Sequence, residues 1–456
     1  MSPESLNLGA PLIVGFGVTG KAMARSLVGR GFAPTVIEDR PTPESEAAAE
    51  KLGVMLLAAP DHARLAAAVA ETSLLLPSPG VPDHHPVFAI GAEHRIPVAS
   101  EFDLARLWDD RPILAVTGTN GKTTVTVMVT DMLSRSGLKA AAVGNTDTPL
   151  VAALDDDAVE VFVVEASSFR LGHSQRFAPK VGAWLNFAPD HLDAHRSLDA
   201  YREAKASIWD HLPDGAMALA NADDSVVMAN TDRVASGPAR LERFSLSQEV
   251  EWTARRRSGD LVGAQLVGPD GVFFETGDLK RRQPHDIANA LAATAIAVAG
   301  GATISACTET LAEFAGLPHR LELIGSAGGV SWYNDSKATV PNATVVAVSG
   351  FESVVLIAGG RNKGLNLDGL AGTVPPVRAV IATGDAADEI TSVYGSLVPV
   401  ERAESMAEAV ELAAKQARTG DVVLLSPACT SFDWYADYGE RGADFSRLVG
   451  EKVLGR

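Results

Sequence analysis

A chain of 456 residues exceeds a single hydrophobic core, so two or three domains are expected. Its formal charge of -18, with only short basic runs at Arg255 to Arg257 and Lys280 to Arg282, argues against nucleic acid as a partner, because a phosphate backbone attracts continuous basic surface. Two cysteines, Cys307 and Cys429, fit a reducing compartment rather than a disulfide framework. Met1 to Ala10 lacks the basic and apolar regions of a secretory signal, and the longest apolar run, Ile287 to Ala299, is short of the ~20 residues that span a bilayer. The expectation is a soluble, cytoplasmic protein with no membrane partner.

Along the chain, strand then helix repeats, which predicts an α/β protein of parallel sheets covered by helices. The first block, residues 1–100, opens with a strand at Leu12 to Val14, turns through Gly15-Phe16-Gly17-Val18-Thr19-Gly20 and runs a helix to about Gly29. Further strands are expected at Val36-Ile37, at Leu74 to Leu76 before Ser78-Pro79-Gly80, and at Ile96 to Val98. Gly-x-Gly-x-x-Gly after a strand, with Glu38-Asp39 some twenty residues on, matches a dinucleotide-binding fingerprint. Taken alone it fits a tight strand-to-helix turn as well as a diphosphate on a helix N-terminus, with Asp39 or Arg40 meeting the nucleoside.

The second block, residues 101–316, carries Thr117-Gly118-Thr119-Asn120-Gly121-Lys122-Thr123-Thr124 between the apolar strand Ile113 to Val116 and a helix that Gly137 stops. Glycines there let backbone N–H groups approach phosphate oxygens, Lys122 neutralises charge and Thr123 can hold Mg²⁺. The strict spacing would want glycine at Val116, so this is a shortened phosphate loop. Strands are expected at Val161 to Val164 and Val181 to Phe187, a helix from about His285 to Ala299, and a hairpin insertion around Gly268-Pro269-Asp270-Gly271. Glu165 ends one strand and Asp190-His191 follows another, which puts a carboxylate and an imidazole at the carboxyl edge of the sheet; with Thr123, Glu165 is a sufficient start for Mg²⁺. His191 could be a metal ligand, a substrate contact or a structural histidine. Tyr201 and Lys205 share a helix face, where a solvated lysine is the ordinary outcome.

The third block, residues 317–456, has expected strands at Val330 to Tyr333, Val354 to Ala358, Val380 to Thr383 and Val422 to Leu425. Arg320 and Asp335 follow apolar runs, where they could meet a γ-phosphate and a ribose or be surface residues. A dehydrogenase would use the first glycine-rich turn and leave the second without a purpose. One nucleotide site for a substrate and another for ATP accounts for both.

With these motifs assembled, the sequence resembles the Mur ligases, the ATP-dependent amide-forming enzymes of peptidoglycan precursor synthesis. The likeness runs through both glycine-rich turns, Gly144-Asn145, Glu165-Ala-Ser-Ser-Phe169, Asp190-His191, Tyr201 to Lys205, Leu-Pro-His-Arg320, Asn334-Asp-Ser-Lys-Ala-Thr339 and Ser426-Pro-Ala-Cys-Thr-Ser-Phe-Asp433. It implies three domains: a Rossmann-like N-terminal domain, a central P-loop ATPase-like parallel sheet and a C-terminal Rossmann-like α/β domain. It further implies the glutamate-adding branch, whose substrates are UDP-N-acetylmuramoyl-L-alanine and glutamate, working through an acyl phosphate, with the third block closing on the second and a monomeric state.

By the same resemblance, the UDP-substrate would lie on Gly15, Gly17, Val18, Thr19, Gly20, Asp39, Arg40, Ser78, Pro79, Gly80 and Asn145. ATP would lie on Gly118, Thr119, Asn120, Gly121, Lys122, Thr123, Thr124, Asn289, Arg320 and Asp335. Mg²⁺ would be held by Thr123, Glu165, His191 and a carbamylated Lys205, and Lys122, His191, Lys205 and Arg320 would be catalytic. Carbamylation needs a neutral amine, which burial favours. The incoming amino acid would meet Lys337, Thr339, Lys363, Ser431, Phe432 and Tyr438. Three departures from the family pattern, Thr146-Asp147 after Gly144-Asn145, Asp286, and Val340, leave the acceptor and its D or L configuration open. The alternatives are the same chemistry on another acceptor such as L-glutamate, a folate-extending ligase, which would have no use for the first block, and a nucleotide-binding regulator without turnover.

Overall fold

The computed structural model describes residues 6–190, 194–235, 237, 239–256 and 260–456. The chain divides into two compact units, Met1–Phe314 and Ala315–Arg456. Unit 1 holds two sheets. The first comprises β1 (Pro11–Val14), β2 (Thr35–Glu38), β3 (Met55–Ala58) and β4 (Leu74–Pro77), all parallel in the order β3-β2-β1-β4. Leu12, Ile13, Leu75 and Leu76 are wholly buried, as strands covered on both faces require. The chain leaves β1 on one side and returns on the other at β4, so a crevice opens beyond their carboxyl ends. Strand β3, unread in the sequence, is a sheet edge with Met55 exposed. The strand expected at Ile96 to Val98 is a single bridge from Val98 to Leu75, beside Pro97, which has no N–H to give a ladder.

The second sheet comprises β5 (Ile113–Thr117), β6 (Ala140–Gly144), β7 (Val161–Glu165), β8 (Val181–Trp184), β9 (Met217–Asn221), β10 (Arg240–Ser245), β11 (Trp252–Arg255), β12 (Gln265–Gly268) and β13 (Gly271–Glu275). Its order is β13-β12-β11-β10-β9-β8-β5-β7-β6. Strands β5 to β11 run parallel and the last two pairings are antiparallel. The hairpin expected as an insertion is thus the edge of this sheet. Strand β8 stops at Trp184 rather than Phe187, because Asn186 beyond it bonds the loop after β5 rather than a strand, its carbonyl accepting from the Thr119 amide at 3.2 Å. Helices Lys122–Arg135 and Pro284–Gly300 pack together on one face through Val125, Val129, Ile287 and Leu291. The other face shares a core with the first sheet's helix Val18–Gly29, Met23 and Leu27 lying in one cluster with Leu150 and Val151. Asp83, in the loop after β4, adds a polar clasp: its amide donates to the Ala194 carbonyl at 3.0 Å, and its carboxylate meets His195 Nδ1 at 3.2 Å, whose Nε2 lies 2.9 Å from Ser168 Oγ.

Unit 2 is a six-stranded sheet of β14 (Glu322–Ala327), β15 (Val330–Asn334), β16 (Val354–Gly359), β17 (Val377–Thr383), β18 (Val400–Ala403) and β19 (Val422–Ala428), in the order β14-β15-β19-β16-β17-β18. Only β14 is antiparallel to its neighbour. Among the described residues no helix is long and apolar enough to cross a membrane.

Candidate active site

The crevice beyond β1 and β4 is a cavity of 950 Å³, within the range of small-molecule sites. Gly15, Gly17, Val18, Thr19, Asp39, Arg40, Ser78, Pro79, Gly80 and Asn145, all expected there from sequence, line it. Gly15 adopts φ +83°, which favours glycine. No side chain caps the helix at Gly17, so first-turn amides, which lack intrahelical acceptors, are available for an anion. The Glu38 carboxylate is consumed in folding the turn, accepting from the Phe16 amide at 2.7 Å and the Arg40 amide at 3.0 Å, which leaves Asp39 and Arg40 exposed at the cavity wall. Gly20 does not line the cavity. A Cβ there would sit 2.1 Å from the Gly15 carbonyl oxygen, so this glycine brings the helix against the turn.

The second turn lies beyond β5. Gly121, at φ +85°, starts the helix without a side-chain cap. Asn186 shapes the loop, its Oδ1 accepting from the Thr119 amide at 3.0 Å and the Asn120 amide at 2.8 Å, while its Nδ2 donates to the Asn120 carbonyl at 3.1 Å. Lys122 Nζ donates to the carbonyls of Gly118 at 2.8 Å and Thr119 at 3.0 Å. Asn289 approaches from the helix Pro284–Gly300, its Oδ1 lying 2.6 Å from where a Gly121 Cβ would stand. Thr123 and Thr124 follow in the first helical turn, half-buried. The unusual Asp286 is ion-paired with Arg281 at 3.1 Å.

Register aligns the rest of the cluster. Val116 stands opposite Glu165, and Gly144 opposite Glu165 on the other side, so the phosphate loop, Glu165 and Asn145 leave one sheet edge together. Asn145 Nδ2 donates to Glu165 Oε1 at 3.0 Å. Glu165 is buried and, among the described residues, its Oε2 has no hydrogen-bond partner, an arrangement that costs free energy unless a cation or water completes it. Lys205 is buried too, against the expectation of a solvated helix face. The helix Leu198–Ala206 turns Tyr201 and Lys205 inward, with Lys205 Nζ donating to the Gly118 carbonyl at 2.7 Å and lying 4.6 Å over the Tyr201 ring. Burial, and then the Lys122 charge, hold its amine well below the ordinary lysine range, so the neutral form is favoured. His191 lies outside the described residues.

In unit 2 the expected residues gather at the carboxyl ends of β15, β19 and β16. Asp335 is buried, with Oδ1 accepting from the Leu321 amide at 3.2 Å and Oδ2 from Ser426 Oγ at 2.8 Å. Lys337 Nζ lies 3.7 Å over the Tyr438 ring. Arg361 and Thr430 pair their backbones, which sets the loop carrying Lys363 beside Ser431 and Phe432. Thr339 follows Lys337, its amide donating to the Lys337 carbonyl at 2.9 Å, and Arg320 lies in the turn before β14.

Sequence reasoning missed Asn186, Arg170 and Glu101. Arg170 lines the first cavity, yet its Nε donates to Glu101 Oε1 at 2.5 Å and both side chains are buried. Only the Asn186 position just beyond a buried strand could have signalled a role; the ion pair joins residues too far apart in sequence to be read.

Three family models match the chain: the Mur ligase MurD-like N-terminal domain over residues 10–100, the Mur ligase middle domain over 116–297, and the Mur ligase glutamate ligase domain over 319–429. The UDP-N-acetylmuramoylalanine--D-glutamate ligase of Frankia casuarinae is 41% identical, covering 96% of this chain and 93% of the relative. The enzyme of that name from Nitrosococcus oceani is 37% identical over 96% of each. Among solved structures, a pseudomurein peptide ligase type C from Methanothermus fervidus aligns with a TM-score of 0.60 at 17% identity, over 98% of this chain and 100% of that one. The UDP-N-acetylmuramate-alanine ligase of Thermotoga maritima aligns at 0.56 and 20% identity, over 97% and 99%. At such identities these structures speak for the three-domain fold alone.

Proposed function

The chain belongs to the Mur ligase family, and we propose that it joins D-glutamate to UDP-N-acetylmuramoyl-L-alanine at the expense of ATP. The observation that carries this reading is a shared wall. Asn145 lines the nucleotide-sized cavity and hydrogen-bonds Glu165 beside the phosphate loop, so a carboxylate at the end of a ligand in that cavity can approach a γ-phosphate. Residues 1–100 bind the UDP part, residues 101–316 bind ATP, and residues 317–456 supply the acceptor set of Lys337, Thr339, Lys363, Ser431, Phe432 and Tyr438.

The alanine carboxylate oxygen attacks the γ-phosphorus and ADP leaves. The amine of glutamate, having given up a proton, then attacks the acyl-phosphate carbonyl carbon and phosphate leaves. Lys122 offsets charge on the transferring group and the loop amides orient it, and Arg320 is assigned a further compensating charge. The residues around Glu165 fit Mg²⁺, because the bare Oε2 and the Thr123 hydroxyl are hard oxygen ligands and burial disfavours the charged form of the neighbouring Lys205. Bound there, Mg²⁺ would screen the phosphate oxygens. His191 completes the proposed set. Neutral Lys205 is also the form that takes up CO₂ as a carbamate, losing a proton.

The test is phosphate release with MgATP and UDP-N-acetylmuramoyl-L-alanine, offering D-glutamate, L-glutamate and other amino acids in parallel, with product mass as the check. Turnover with D-glutamate is expected. Turnover only with another acceptor would keep the chemistry and overturn the assignment; none with any acceptor would favour a regulator.

A further inference from the structure

Arg170 is a charged residue buried in the wall of the UDP-substrate cavity, and each described hydrogen bond of its guanidinium runs to an acceptor. Its Nε donates to Glu101 Oε1 at 2.5 Å, one terminal nitrogen to Asn145 Oδ1 at 2.9 Å and Ser167 Oγ at 3.4 Å, and the other to Thr19 Oγ1 at 3.0 Å. A guanidinium has five donors and no acceptor, whereas a carboxylate has no donor. Asn145 stands between the two. With Oδ1 fixed on Arg170, its Nδ2 must face Glu165, and it does, at 3.0 Å. The alternative amide orientation would set an amide nitrogen against the guanidinium and an oxygen against a carboxylate. Asn145 is itself exposed in the cavity wall, so nothing in its packing selects one orientation.

Glu101 explains how Arg170 can do this from a buried position. It is itself fully buried, and burial pushes its carboxyl up while the neighbouring guanidinium opposes the shift. The pair keeps the guanidinium compensated and aimed, since its Nε and planar fork fix the directions of the two terminal nitrogens.

We infer that Arg170, held by Glu101, is a positioning residue that fixes the polarity of Asn145 and thereby orients Glu165 with one oxygen bonded and the other, Oε2, bare for a divalent cation. The inference rests on the proposed cation role of Glu165. It assigns to a residue in the wall of one ligand site the ordering of the next, and gives the cation site its rigidity through outer hydrogen bonds.

The experiment measures Mn²⁺ binding to the ADP-loaded enzyme from the loss of the free-ion EPR signal. Replacing both members of the pair, Arg170→Gln with Glu101→Gln, leaves no uncompensated buried charge and lets position 170 donate or accept, so Asn145 is no longer locked. Mn²⁺ affinity is expected to fall by about tenfold, the scale of outer-partner effects on metal sites. Asn145→Ala, which removes the exposed side chain between the two, is expected to lose a similar factor. Once Asn145 is gone, changing the Arg170–Glu101 pair should cost nothing more; a merely structural role would give the same loss in both backgrounds. Unchanged affinity in Asn145→Ala, or additive losses in the combined variant, overturns the inference. Glu165→Gln separates this from the premise. If it leaves Mn²⁺ binding intact, the cation role of Glu165 falls and the inference with it; if it weakens binding while the other variants do not, only the inference falls.

Discussion

A lysine amine buried between a loop carbonyl and a tyrosine ring gains one hydrogen bond and loses its hydration, and the loss dominates at Lys205. The unfolded chain takes up a proton there near 10.5, whereas burial, and then the Lys122 charge, lower the amine's pKa well below that in the folded protein. Between those limits the unfolded state binds more protons, so burial costs stability, and the cost shrinks as pH rises towards 10.5. Lys205→Met is therefore expected to raise the thermal midpoint at pH 7 in CO₂-depleted buffer, by less at pH 10, while abolishing ligation. The Gly118 carbonyl keeps Lys122 as a donor in that variant. An equal shift at both pH values in thermal melts would show that the penalty is not one of charge. Asp147 presents the opposite case, an exposed carboxylate in the wall of a cavity assigned to a diphosphate ligand. Asp147→Asn should lower KM for the UDP-substrate about two- to fivefold, the scale of a surface charge term of under about 1 kcal/mol, with the gain fading in initial-rate assays at high salt.

At the scale of elements, the glycine-rich turns depend on close backbone approach more than on bare flexibility. Gly20→Ala would drive a Cβ into the Gly15 carbonyl at 2.1 Å and Ser78 Oγ at 2.9 Å, so the helix Val18–Gly29 must move off its turn. A destabilisation of about 1–3 kcal/mol is expected, with UDP-substrate affinity falling further than ATP affinity; chemical denaturation and calorimetric titration measure the two. Wild-type stability in that variant would mean the helix has room to shift. Both turns were legible in sequence because their chemistry is local: glycines, a lysine and a hydroxyl within eight residues, framed by a buried strand and an amphipathic helix. Strands β6, β9 and β10 were not, since Ala140 to Gly144 offers mostly alanine and Arg240 to Ser245 carries three charges; the sheet recruits them through neighbours, not through their own pattern. The same reason hid Arg170, whose partners Glu101, Asn145 and Thr19 lie 69, 25 and 151 residues away. The burial of Lys205 was equally out of reach, because helix periodicity tells which residues share a face but not which face the rest of the chain covers.

For the whole molecule, the division into Met1–Phe314 and Ala315–Arg456 separates the proposed roles along the chain. The cavity beyond β1 and β4, the phosphate loop, Glu165 and Lys205 all belong to unit 1, and two sheets with a shared core make that unit self-sufficient. Arg320 and the acceptor residues from Lys337 to Tyr438 belong to unit 2. A fragment ending at Phe314 is therefore expected to fold cooperatively and to bind UDP-N-acetylmuramoyl-L-alanine with a Kd within about threefold of the full chain, a difference under about 1 kcal/mol, yet to form no amide bond with any amino acid. Calorimetric titration and product mass read the two properties separately. Loss of UDP-substrate binding from a well-folded fragment would mean that residues beyond 314 contribute to that cavity. Amide formation by the fragment would remove unit 2 from the chemistry. The expected pattern, binding kept and ligation lost, would place recognition of the UDP-substrate in residues up to Phe314 and make residues from Ala315 onward necessary for amide formation.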